Sequence, residues 1–92
     1  MELEALRKEI EKLNEEIIVL LGKRKALTLK VAKVKKENNL PIYDPSRESE
    51  QSKKIAEIAK KNQLDPKEIV ELFDCFVAYC RKEMENHWES LP

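Results

Sequence analysis

Glycine is nearly absent from this chain, with Gly22 the only one in 92 residues. A glycine-rich phosphate loop is thereby excluded, because its backbone turns need several such residues. Aromatic residues make up only 5% of the sequence. Charge of one sign is also lacking: eighteen basic residues balance eighteen acidic ones. A nucleic-acid binder of this size carries a basic excess, so nucleic acid is not an expected partner. No apolar run approaches the roughly 18 residues of a membrane span, so no membrane partner is expected either. Residues 1–20 carry Glu2 and Glu4 and alternating charges, which is not the layout of a signal peptide. The single histidine, His87, has no Cys or Asp at ligand spacing, and no serine–histidine pairing supports a nucleophile. No metal and no cofactor are expected. Cys75 and Cys80 lie five apart, about 140° around a helix, so they cannot bond to each other. Reduced thiols and the missing leader together give a cytoplasmic expectation.

What the chain does have is charge and aliphatic bulk, at 39% charged and 41% hydrophobic residues. Abundant Leu, Ile, Glu and Lys with so little glycine predicts long amphipathic helices and an all-α fold. The length allows one domain, residues 1–92, and so small a core makes oligomerisation an expected source of stability.

Apolar residues recur at Leu3, Leu6, Ile10, Leu13, Ile17, Leu20, Leu27, Val31 and Val34. Spacings of three and four mark the seam of a helix packed lengthwise on another helix. The first helix is predicted over about 3–37, near 50 Å at about 1.5 Å per residue. A compact globule of this chain length is only roughly 26 Å across. The rod must therefore project, and its seam calls for a second chain. A break at Gly22, giving a hairpin, is the alternative; against it, Leu20-Leu21-Gly22-Lys23 holds no other turn residue.

Asn38-Asn39-Leu40-Pro41 ends the rod, because the residue before a proline is driven out of the helical region. Asp44-Pro45 places an N-cap before a first-turn proline and opens a second helix over about 45–62, with Ile55, Ile58 and Ala59 as its stripe. Asp65-Pro66-Lys67-Glu68 is a capping-box start for a third, over about 66–89, carrying Ile69, Leu72, Phe73, Phe76, Val77, Cys80, Met84 and Trp88. The reading is three helices, long–short–medium.

Most charges fall where a solvated face would put them. Arg24 does not, since it continues the seam between Leu20 and Leu27. A guanidinium there is costly without an anion, either a glutamate of a partner helix or a bound ligand. Lys35 follows eleven residues later, about three turns, on the same face and about 16 Å away. Arg7 lies about 25 Å before Arg24 on the same rod, out of reach of a shared ligand within one chain. In an antiparallel two-fold dimer it comes into reach. Arg47 and Glu48 stand in the first turn of the second helix, whose N–H groups favour anions. An arginine there opposes the helix dipole, which capping does not explain.

Ala5-Leu6-Arg7, Arg24, Val31-Ala32-Lys33-Val34-Lys35 and Pro41-Ile42-Tyr43-Asp44-Pro45-Ser46-Arg47-Glu48, with Leu64-Asp65 further on, resemble the all-helical chorismate mutases over about residues 3–88. The resemblance implies an intertwined antiparallel homodimer with shared active sites. It implies an isomerase turning chorismate into prephenate on the route to phenylalanine and tyrosine. Arg24 and the other subunit's Arg7 would meet one carboxylate and Arg47 the second. Glu48 and the backbone near Asp44 would receive the ring hydroxyl, and Lys35 would donate to the ether oxygen. Where that family places a Gln or Glu on the third helix, this chain has Met84, with Cys80 one turn earlier. A thioether donates no hydrogen bond, and both residues also fit the apolar stripe. Either Lys35 carries more of the catalysis, or Glu83 or Glu85 swings in, protonated. Two rivals remain from sequence: an isochorismate-pyruvate lyase on the same fold, and a non-catalytic helical dimerisation module.

Overall fold

The computed structural model describes residues 2–88. Among them the only regular elements are three helices: α1 (Glu2–Glu37), α2 (Pro45–Lys61) and α3 (Pro66–His87). The expected end of the third helix at residue 89 lies outside the described residues, as do Met1 and 90–92. α1 runs unbroken through Gly22, so the hairpin is not formed. It sets the 56 Å long axis of a chain 27 by 15 Å in its other dimensions. The radius of gyration is 16.5 Å, against about 12 Å for a compact chain of this length. α3 packs on both α2 and the second half of α1.

The starts of α2 and α3 follow from local chemistry. Asp44 takes an extended conformation (φ −129°, ψ 94°) and accepts from the Arg47 N–H at 3.1 Å, with Pro45 following. Asp65 accepts from the N–H groups of Lys67 at 2.9 Å and Glu68 at 3.2 Å. The first two stops share one design, in which proline is not the agent. Leu40 N–H donates to Lys35 O at 2.8 Å and Asn39 N–H to Lys36 O at 3.2 Å, with Asn39 at φ 54°. Leu64 N–H donates to Ala59 O at 2.9 Å and Gln63 N–H to Lys60 O at 3.3 Å, with Gln63 at φ 56°. These are Schellman closures around a left-handed residue. Asparagine tolerates that conformation and glutamine does so less well. Gln63→Gly should therefore stabilise the chain by about 0.5–1 kcal/mol, raising Tm by roughly 4 °C. An unchanged or lower melting temperature would count against strain at this position.

The core is small. Ala32, Ala59, Cys80 and Met84 are the buried hydrophobics among the described residues. Two residues of the expected stripes face outward: Ile58 is 60% exposed and Leu72 65%. α2 instead turns Ile55, Ala56 and Ala59 inward, because α3 covers it from one side only. The α1 seam is uncovered throughout, from Leu3 at 53% to Val34 at 53% exposed. The half-buried positions of α1 are Leu21, Arg24, Lys25, Thr28, Leu29, Lys35 and Lys36, around buried Ala32. This stripe lies beside the seam, and Arg24 and Lys35 fall on the boundary between the two, within about 40° of arc.

Candidate functional site

A hollow of about 360 Å³ lies where that boundary meets the start of α2 and the middle of α3. α1 contributes Arg24, Thr28, Val31 and Lys35 to its wall, and the connecting segment contributes Ile42 and Asp44. The first turns of α2 add Arg47, Glu48 and Gln51, and α3 adds Val77, Cys80, Arg81 and Met84. Seven of the eight residues singled out from sequence thus line one cavity. The eighth, Arg7, does not. It lies far along the projecting half of α1, exposed and 3.5 Å from Glu4.

Lys35 is aimed by its own loop: Nζ donates to the carbonyl of Ile42 at 2.7 Å. The contact folds the lysine over the end of α1 and holds the 38–44 segment against it. Arg24 lies with its guanidinium carbon 5.4 Å from the Phe76 ring centroid. That cation–π contact lets a seam arginine rest against α3 with no ion pair among the described residues. Arg47 is largely exposed, with a weak 4.0 Å approach to Glu50. Cys80 and Met84 are buried at 2% and 5% exposure while also forming the floor of the hollow. Packing and lining are here one role.

Arg81 is the residue that sequence reasoning missed. Its Nη2 donates to Glu48 Oε1 across the α2–α3 contact, and its guanidinium carbon stands 4.5 Å from the Tyr43 ring centroid. The available signal was its spacing, four after Val77 and three before Met84, which puts it beside the inward stripe of α3.

Neither Glu83 nor Glu85 lines the hollow. Glu83 is engaged elsewhere: Lys25 Nζ donates to its Oε1 at 3.1 Å and to the Tyr79 hydroxyl at 2.9 Å, and His87 approaches Oε2 at 3.5 Å. The Lys25 hydrogen bond holds the Glu83 carboxyl below its ordinary range, the reverse of what a protonated donor needs. Lys25 is raised, first by its bond to Tyr79 and then by that to Glu83. The signs give a two-sided pH window. Glu83, depressed, stabilises the fold above the ordinary carboxylate range, and that contribution is lost as pH falls through its lowered value. Lys25, raised, stabilises it below the ordinary lysine range and loses its contribution as pH rises through its elevated value. Replacing Lys25 with Met should move the Glu83 titration back up toward its ordinary position in a carbon-detected NMR experiment. A midpoint that stays put would show that the pair does not form in solution.

Among the described residues no group of three or more His, Cys, Asp or Glu is placed to hold a metal ion. Among the same residues no helix is long and apolar enough to cross a membrane.

Fold and hollow together define a class: an all-helical chain with a cavity at the edge of a long helix, its wall carrying the cations Arg24, Lys35, Arg47 and Arg81. Within that class the chain belongs to the chorismate mutase type II family, whose model matches residues 6–85. It is 38% identical over 73 residues, 79% of the chain, to a bifunctional chorismate mutase/prephenate dehydratase of Buchnera aphidicola from Schizaphis graminum, covering 19% of that protein. The corresponding protein of Aquifex aeolicus is 43% identical over 60 residues, 65% of the chain and 17% of the relative. A chorismate mutase of Methanocaldococcus jannaschii is 25% identical over 85 residues, 92% of the chain and 86% of the relative. The chain thus spans about a fifth of the length of the bifunctional relatives and most of the archaeal one.

Proposed function

We propose that this chain is a chorismate mutase that works as a homodimer, converting chorismate to prephenate for phenylalanine and tyrosine synthesis. The observation that carries the reading is the gathering of Arg24, Lys35, Arg47 and Glu48 around one hollow in a chain of this family. The reaction is a unimolecular [3,3] rearrangement, so it requires no external acid, base or nucleophile. An enzyme accelerates it by holding the compact conformer and stabilising charge that grows on the ether oxygen. Arg24 and Arg47 take the two carboxylates, Glu48 and the backbone at Asp44 receive the ring hydroxyl, and Lys35 donates to the ether oxygen. With Met84 where a donor is usual in the family, Lys35 is the principal donor to that oxygen.

The dimer follows from what one chain leaves open. Leu3, Leu6, Ile10, Leu13 and Ile17 are each about half exposed or more along a rod that no other described element covers. Exposed apolar surface of this extent marks an interface. Because Arg24 and Lys35 sit at the edge of the uncovered seam, a second α1 laid antiparallel on it would roof the hollow and bring in Arg7. The free thiols of Cys75 and Cys80 suit a reducing cytoplasm.

The matched family and its named relatives favour the mutase over an isochorismate-pyruvate lyase or a non-catalytic dimerisation module. Incubating the purified dimer with chorismate, and separately with isochorismate, tests the choice directly. Prephenate from the first supports the proposal. Salicylate from the second with no prephenate from the first reassigns the site, and no turnover of either leaves the module.

A further inference from the structure

The third helix contributes one cation to the hollow, and neither the family match nor the sequence pattern assigns it a role. We propose that Arg81 is a positioning residue for the same reaction. It holds the Glu48 carboxylate in line for the substrate's ring hydroxyl and offsets the negative charge that Glu48 would otherwise present to a dianion. This rests on the reading of the hollow given above.

Three features of the geometry support it. First, Arg81 reaches from α3 to the opening turns of α2: its Nη2 donates to Glu48 Oε1, and the two side chains are only 31% and 32% exposed. Partial burial makes such a pair stronger than a surface one and makes an unpaired Glu48 correspondingly costly. Second, the guanidinium lies over Tyr43, 4.5 Å from its centroid, one residue before the Asp44 cap. A plane fixed on one face and bonded at its edge has little freedom, so the carboxylate it holds has little freedom either. Third, the charges match. Arg24, Lys35, Arg47 and Arg81 face Asp44 and Glu48 in the wall, a surplus of two positive charges for a ligand bearing two negative ones. Without Arg81 the surplus in the chain falls to one. The other α3 residues of the wall, Val77, Cys80 and Met84, supply no charge.

Such a residue affects binding more than the chemical step, because Glu48 is present in ground and transition states alike. In R81M, KM for chorismate should rise about tenfold with kcat within about threefold of the parent. In an E48Q background there is no carboxylate to hold or offset, so adding R81M should change KM by less than about twofold. R81K, which keeps the charge and loses the planar fork, should fall between parent and R81M. An unchanged KM in R81M overturns the proposal, and so does an equal KM rise in both backgrounds. A lowered Tm with KM unmoved leaves Arg81 a purely structural tie and overturns it too. If R81M does not fold, R81K carries the comparison, with a KM rise of about threefold expected only where Glu48 is present. K35A measured alongside separates the two readings. Full activity in K35A removes the site itself, whereas a crippled K35A with normal KM in R81M removes only the role of Arg81.

Discussion

Lys35→Ala is expected to lower kcat for prephenate formation by two to three orders of magnitude, about 3–4 kcal/mol of barrier. The size follows from what the wall offers. A charge growing on the ether oxygen needs a donor already in place, in a site where water does not compete. Lys35 is held by the Ile42 carbonyl at 2.7 Å, so its orientation is set before substrate arrives. The buried α3 residues of the wall, Cys80 and Met84, cannot take over, since a thiol is a weak donor and a thioether none. The loss should fall on kcat, because the interaction strengthens only as the bond breaks. Circular dichroism should be unaffected, since α1 is helical on both sides of this position and alanine is the best helix former. Near-parental turnover in a folded Lys35→Ala protein would remove Lys35 from the chemistry.

How much of this was legible beforehand depends on the range of the interaction. The helix starts were legible because Asp44-Pro45 and Asp65-Pro66 act within three residues. The first two stops fall within a residue of the expected ones, but proline is an incomplete reason for them. Pro41 marks where α1 cannot continue, whereas Asn39 and Gln63 close their helices in left-handed conformations that spacing alone does not announce. Arg24 and Lys35 stood out because a cation at a seam position contradicts a pattern. Arg81 contradicted none. It lies at the edge of α3, and that edge matters only because α3 is packed on two sides, by α1 and by α2, which one helix's periodicity does not encode. The same two-sided packing explains why Cys80 and Met84 are both core and cavity wall, a choice that sequence reasoning had posed as either–or. Ile58, counted as core, is exposed because its helix is covered on a single face. Glu83 was a candidate donor by position, yet Lys25, 58 residues away, claims it. That pairing is tertiary and invisible to a helical wheel.

A second large effect is expected from joining two broken chains. Arg7 cannot help its own hollow, being some 25 Å up the rod from Arg24 at about 1.5 Å per residue. If two chains lie antiparallel along their exposed seams, each hollow is completed by the other chain's Arg7. Arg7→Ala then damages the neighbour's site, while Lys35→Ala damages its own. Each variant alone has only damaged sites, and each should retain about 1% of parental activity or less. In a mixed dimer both lesions fall in one site, and the other site is whole.

Refolding the Arg7→Ala and Lys35→Ala proteins together, at equal concentration, therefore tests the account at its centre. Random pairing makes half the dimers mixed with one intact site each, so the mixture should recover about a quarter of parental activity, far above either parent. A mixture no more active than the average of its parents, or an Arg7→Ala protein with full activity by itself, would contradict a site built from two chains.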